Sequence, residues 1–355
     1  MQNNCINFDK CLTNCFCGSS ILMYYMNIFR CFIERKLNMR KVMDLCLDMP
    51  DFEEDLIRTA CHFVLPEFRE AWGGYRENFN GGIEQKLGLT LAEMDTIFEN
   101  EGREAFMEKI TAAAHANAPT LDSFMDQMDK LGVRWGMTCH NSHDNDKTAA
   151  ICNQYPDRLG GFCFVNPLDG MKAVREVERG IKELGLKAVY ITAFRTHLPA
   201  NDKHCYPIYA KCVELGVPVF IYCSMNLSGA VPYDIGHPRY IDEVARDFPE
   251  LQIMASVSGW PWTMEFIGLA LRHKNVYLNM ETHNPALITV QGSGYEPYAY
   301  WLPRVQDKFF FSSDWNSQGK TLESLIEGVE NWPFSDEIKE KVLWKNAARI
   351  FGVEI

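Results

Sequence analysis

This 355-residue chain predicts an α/β fold, a (β/α)8 TIM barrel, on three observations. From about residue 119 onward, short β-rich runs alternate with amphipathic helical stretches, the pattern of parallel strands joined by crossover helices. Counting the run at 41–48, there are eight such strands, as a closed barrel requires. The length accommodates a barrel of about 250 residues plus insertions.

The first candidate strand, 41–48, is apolar apart from Lys41, Asp44 and Asp48 and stops before Pro50. The others are 133–139, 161–166, 187–193, 218–223, 251–257, 276–281 and 308–314. The helices between them carry recognisable punctuation. Asp169 and Gly170 open a run in which Val174, Val177, Ile181 and Leu184 recur at helical spacing before Gly185 stops it. Residues 206–215, ahead of Gly216-Val217-Pro218, repeat the design, as do 238–248 ahead of Pro249.

Two regions stand outside the repeat. Residues 50–118 hold the Gly73-Gly74 and Gly81-Gly82 pairs and a charged helical stretch over 91–116. They are too long for an ordinary loop and read as a cap inserted at the barrel mouth, between the first strand and first helix. Residues 1–38 read as an N-terminal extension to a barrel over 39–355, because Met39-Arg40-Lys41 resembles a chain start.

Composition narrows the class of function. A formal net charge of -12 disfavours nucleic acid and anionic membrane as partners and points to small-molecule chemistry. The thirteen cysteines are scattered as free thiols would be in a cytoplasmic protein, not as a disulfide framework. Cys5, Cys11, Cys15 and Cys17 match neither zinc-finger nor iron–sulfur spacing. The apolar run 21–33 is interrupted by Asn27 and Arg30, too short to span a bilayer and without the marks of a secretory signal.

The active site of such a barrel lies at the C-terminal ends of its strands. Reading those ends gives Cys46 and Asp48, His140 and His143, Asn166, Thr192 with Arg195 and His197, Tyr222, Ser256 with Ser258, Glu281 with His283, and Asp314. Asp314 reads either as a general acid/base or as a structural carboxylate. Glu281 and His283 form a candidate proton-transfer pair. Arg195 and His197 read as an anion clamp, the planar guanidinium matching a carboxylate, or as a surface pair. Tyr222 would donate to a substrate oxygen or fill space; His140 and His143 would bind substrate or metal, or sit in a solvated loop.

Nine segments in order carry a family resemblance: 155–160 (YPDRLG), 165–169 (VNPLD), 214–219 (ELGVPV), 237–239 (HPR), 247–249 (DFP), 259–262 (GWPW), 275–278 (NVYL), 313–315 (SDW) and 346–349 (NAAR). They resemble the amidohydrolase-2 branch of the amidohydrolase superfamily, which contains aminocarboxymuconate semialdehyde decarboxylase and resorcylate-type decarboxylases. The resemblance implies hydrolysis or non-oxidative decarboxylation of a small carboxylated or aromatic compound, with homodimers as a family expectation.

It also implies a zinc or manganese site built from His-x-His on strand one, a His ending strand five and an Asp ending strand eight, beside a catalytic His ending strand six. Cys46 and Asp48 fall at the His-x-His positions, Tyr222 at the strand-five histidine and Val257 at the strand-six histidine. Asp314 alone is retained. The expectation is therefore acid/base chemistry from Asp48, Glu281, His283 and Asp314 with no metal cofactor, or a metal held by Cys46, Asp48 and Asp314 with a fourth group. A non-catalytic barrel that binds a small ligand or a catalytic paralogue is the alternative.

Overall fold

The computed structural model describes residues 40–69, 83–226, 231–315 and 320–355. The expected N-terminal extension with its cysteine cluster and its 21–33 apolar run, and the Gly73-Gly74 and Gly81-Gly82 pairs, lie outside the described residues.

Eight parallel strands form one sheet in sequence order: β1 (Val42–Asp44), β2 (Val133–Thr138), β3 (Leu159–Phe164), β4 (Ala188–Ile191), β5 (Val219–Tyr222), β6 (Ile253–Ser256), β7 (Val276–Asn279) and β8 (Phe309–Phe310). The Leu45 amide donates to the Phe311 carbonyl at 3.1 Å across the β8/β1 seam, so the sheet curls into a barrel. All eight strands fall where the alternation places them, but most are shorter than expected. After Asp44 the chain turns, and the Asp44 carboxylate accepts the Cys46 amide at 3.1 Å. The run 308–314 keeps two ladder residues because the amides of Ser313 and Asp314 bond to Asp44 and Cys46 instead of a strand.

β3 starts two residues earlier than expected, at Leu159. A Cβ on Gly160 would lie 2.5 Å from the Trp135 ring, and one on Gly161 would lie 2.4 Å from Leu186. Glycine there is required by close packing on both faces, which masks the strand's apolar pattern.

Successive strand residues separate by face, as a period of two demands. Met43, Trp135, Met137, Phe162, Tyr190, Phe220, Met254 and Phe310 belong to one cluster that fills the barrel and packs against Phe351 and Ile355. Val42, Val133, Val189, Val219, Ile221, Ile253, Val276 and Phe309 belong to another, shared with the surrounding helices. Those helices include α1 (Leu121–Leu131), α2 (Asn145–Cys152), α3 (Met171–Lys182), α4 (Tyr206–Leu215), α5 (Pro238–Asp247), α6 (Thr263–Arg272), α7 (Glu296–Val305) and α8 (Leu322–Glu330).

Between β1 and α1, helices Glu53–Val64, Ile83–Leu87 and Leu91–Asn117 gather a core of their own around Leu56, Phe63, Met94, Phe106 and Ile110. The last begins at a capping box in which the Thr90 hydroxyl accepts the Glu93 amide and Glu93 accepts the Thr90 amide. The group is tied to the loop after β2: Glu54 meets His140 at 3.0 Å and Lys147 at 2.7 Å, and Asn141 donates to Asp55 at 2.9 Å. Among the described residues no helix is long and apolar enough to cross a membrane.

Candidate functional site

The strand ends converge on an acidic floor. Asp44 is fully buried at the end of β1, where one carboxylate oxygen accepts the amides of Cys46 at 3.1 Å and Ser313 at 2.8 Å. Its other oxygen has no partner among the described residues, and burial pushes its pKa up to about 6 against those bonds.

Three further contacts join the segment after β1 to the segment after β8. The Asp314 amide donates to the Cys46 carbonyl at 2.8 Å, the Ser313 hydroxyl to the same carbonyl at 3.3 Å, and the Trp315 indole to the Asp48 carbonyl at 3.0 Å. This stitching sets the side chains of Cys46, Asp48 and Asp314 face to face: one donor atom from each lies within 4.8 Å of the others. Asp314 has φ 43, a left-handed conformation uncommon outside glycine, and its carboxylate accepts the Thr282 hydroxyl at 2.6 Å. Thr282 is itself left-handed at φ 68. Left-handed backbone thus marks the points where β7 and β8 hand over to the mouth.

Glu281 completes the floor from the end of β7. It is 5% exposed, and one carboxylate oxygen accepts the Tyr190 hydroxyl at 2.6 Å while Oε2 has no partner among the described residues. Burial first, then the charge of Asp314, lifts its pKa to about 8. Burial likewise pushes the Cys46 thiol well up, reinforced by the charges of Glu281, Asp314, Asp48 and Asp44 in that order.

The remaining expected residues are distributed differently. His283 does not meet the Glu281 carboxylate: its Nδ1 contacts the Ser258 hydroxyl and the Glu281 backbone carbonyl, the latter at 3.2 Å, and its ring packs on Tyr295. Burial holds its pKa below the usual histidine value. The Tyr222 hydroxyl donates to the Met225 carbonyl at 2.9 Å, which engages the hydrogen expected to face substrate, and burial raises its pKa to about 12. His140 is buried with both ring nitrogens engaged, by Ser142 at 2.7 Å and by Glu54 at 3.0 Å. In place of a substrate contact, it fastens the cap to the barrel.

Arg195 and His197 follow β4 on the short turn Ala193–Thr196 and are exposed. His197 is left-handed at φ 56 and closes that turn. Among the described residues the Arg195 side chain makes no hydrogen bond or ion pair. Its charge acts on the half-buried Cys139 thiol, as do those of Asp48, Asp314 and Glu281. Arg195 follows β4 as Cys46, Asp48, Glu281 and Asp314 follow β1, β7 and β8, so all stand at the C-terminal end of the parallel strands. A separate cavity of about 240 Å³, lined by Pro50, Leu56, Phe124 and Trp315 among others, lies between cap and α1 and contains none of the floor acids.

His143 offers a test of burial at this rim. It packs edge-on against Phe164, Nδ1 is buried without a hydrogen-bond partner among the described residues, and burial holds its pKa down to about 4. A histidine depressed in the folded state contributes stability that is fully present above its unfolded value of about 6.5 and fades as pH falls toward 4. Urea midpoints measured across that window should fall less steeply in His143→Leu than in the parent, by on the order of 1–2 kcal/mol after allowance for partial exposure. Parallel curves would remove His143 from the account.

Strand six ends in three consecutive left-handed residues, Val257 at φ 69, Ser258 at φ 51 and Gly259 at φ 73, with the Val257 amide on the Asn279 side chain at 3.3 Å. Comparison with known proteins gives this arrangement its lineage. Residues 101–353 match the family profile described as amidohydrolase. The chain belongs to the amidohydrolase family. Among the relatives of this amidohydrolase are the 2-keto-4-carboxy-3-hexenedioate hydratase of Sphingobium sp., 29% identical over 56% of this chain and 64% of that one. Another is the gamma-resorcylate decarboxylase of Polaromonas sp., 24% identical over 66% of this chain and 81% of that one. The match thus spans less than two thirds of the hydratase.

Solved structures repeat the fold. A TIM-barrel protein from Bordetella bronchiseptica superposes with a TM-score of 0.60 at 21% identity, covering 88% of this chain and 99% of that one. The 5-carboxyvanillate decarboxylase of Novosphingobium aromaticivorans, solved with manganese and a nitrobenzoic acid, gives 0.56 at 18% identity over 88% and 96%.

Sequence reasoning missed Asp44, Tyr190, Thr282 and Cys139. Asp44 left a signal, since a carboxylate among Val42, Met43 and Leu45 needs buried donors to sit there. Tyr190 left none, because an aromatic in a strand reads as core.

Proposed function

We propose that this amidohydrolase is a lyase that adds or removes water or carbon dioxide at a small, carboxylate-bearing compound. The observation that carries the reading is the Arg195 guanidinium, without a hydrogen-bond or ion-pair partner among the described residues, at the same end of the barrel strands as Asp48, Glu281 and Asp314. A substrate carboxylate docked on Arg195 gains two parallel charge-assisted bonds and leaves the reacting carbons facing the floor. The hydratase and decarboxylase relatives both act, by name, on carboxylated compounds, which supports this assignment.

Asp314, held by Thr282 and by the Cys46 carbonyl, is the group for proton transfer to or from the substrate. Tyr190 orients Glu281 through Oε1, which leaves Oε2 buried and without a hydrogen-bond partner among the described residues. A divalent cation, bound as manganese in the carboxyvanillate decarboxylase, would here supply polarisation of a substrate oxygen. The donor set of Cys46, Asp48 and Asp314, beside the unpartnered Glu281 oxygen, fits such an ion.

The test is a panel of hydroxybenzoates and unsaturated keto-dicarboxylates assayed with parent and Arg195→Met. The expected result is turnover of a carboxylated member, with KM raised about 10–100-fold in the variant and partly restored in Arg195→Lys. A second reading, a barrel that binds a ligand without turning it over, is favoured by Val257, which carries no donor where the family resemblance places a histidine. Binding without turnover across the panel would decide for it.

A further inference from the structure

We infer that Cys46, Asp48 and Asp314 bind a thiophilic divalent cation, zinc by preference, through a sulfur ligand that the family's imidazole site lacks. The inference concerns the mouth described above but does not rest on the lyase reading.

Geometry is the first support. One donor atom from each residue lies within 4.8 Å of the other two. Zinc bonds of about 2.3 Å to sulfur and about 2.0–2.2 Å to oxygen place tetrahedral ligand atoms under roughly 4 Å apart, so small side-chain rotations close the set. The backbone that presents them is stitched together by the Asp314 amide and the Trp315 indole, so the side chains turn on a fixed frame.

The second support is independent of the cluster. Glu281 is 95% buried by its 5% exposure, its Oε2 has no partner among the described residues, and of all charges it acts most strongly on Cys46. A buried carboxylate oxygen left bare on the Cys46 side of the cluster is placed as an acceptor for a group bound to the ion. The hydroxyls of Tyr190 and Thr282 bond to Glu281 and Asp314, yet hydroxyls offset little of a multiple negative charge.

The third support is where donors are missing. Val257 has none, and the Tyr222 hydroxyl donates to the Met225 carbonyl. Among the described residues the donors that meet, Cys46, Asp48 and Asp314, come from the β1 and β8 ends, so the cation sits toward that wall. Softness then selects the metal. A thiolate with carboxylates prefers zinc or cobalt, whereas manganese and magnesium prefer oxygen alone. On binding, the Cys46 S–H bond breaks, a sulfur–metal bond forms, and the proton leaves to solvent.

The experiment is a cobalt(II) titration of chelator-stripped full chain, followed by absorbance. The expected result is one equivalent bound with a near-ultraviolet sulfur-to-cobalt charge-transfer band, bleached by one equivalent of zinc but not by manganese at the same concentration. Cys46→Ser should lose the band, and Asp48→Asn should keep it while weakening cobalt binding at least about tenfold. Circular dichroism checks both folds, and if Cys46→Ser does not fold, the Asp48→Asn titration decides. A band that survives in Cys46→Ser belongs to another of the thirteen cysteines and overturns the assignment. So does cobalt bound without the band, no binding, equal displacement by manganese, or unchanged affinity in Asp48→Asn. Because the readout is a spectrum, each of these leaves the substrate panel to judge the lyase reading alone.

Discussion

Asp314→Asn should lower kcat/KM on the panel's substrate by about 10³-fold, within the range that a positioned proton-transfer group contributes. The reasoning lies in what the substitution preserves. The asparagine carbonyl can still accept the Thr282 hydroxyl, and the backbone amide that donates to the Cys46 carbonyl is untouched. The charge and the capacity to take a proton are removed. The thermal midpoint should stay within a few degrees, since no buried ion pair is broken. Activity within tenfold of the parent would take Asp314 out of the chemistry and shift the role to Glu281.

Gly259→Ala should destabilise the barrel by more than about 3 kcal/mol, because two costs add at one atom. Gly259 stands at φ 73, and its Cβ would lie 2.3 Å from the Phe266 Cβ and 2.5 Å from Cγ. Phe266 is fully buried on α6 and cannot rotate its own Cβ out of the way. The chain would have to shift the turn that carries Val257 and Ser258, and with it the hydroxyl that His283 contacts. Guanidinium unfolding checks this through the midpoint at constant slope. A loss below about 1 kcal/mol would show that the turn relaxes freely, and the left-handed run would then not be a constraint on the site.

The barrel was legible because its determinants are local. Apolar runs of strand length, helical spacing in Val174, Val177 and Ile181, and stops at Gly185 and Gly216 each act over a few residues. Strand ends were less so, since Asp44 ends β1 by capturing an amide next to it and another 269 residues away. The site divides in the same manner. Family spacing indicated that Cys46, Asp48 and Asp314 belong near one mouth. No spacing reveals that His140 is engaged by Glu54 from the cap, or that Tyr222 donates to the Met225 carbonyl. Those outcomes depend on which acceptor a donor reaches first once the chain has folded, and several candidates of equal chemistry compete.

The stitching between the first and last strands also bears on how the protein comes into being. Trp315 and the Asp48 carbonyl that it bonds are 267 residues apart. During synthesis the early segment leaves the ribosome long before its partner exists, and the entropic cost of closing so long a loop is met only when the intervening strands have assembled. Ligand capacity should therefore arise late and all at once, making cobalt absorbance a clock for ring closure in refolding. A nascent chain halted before β8 would carry Cys46 and Asp48 yet hold no ion, which would keep a half-made molecule from sequestering metal.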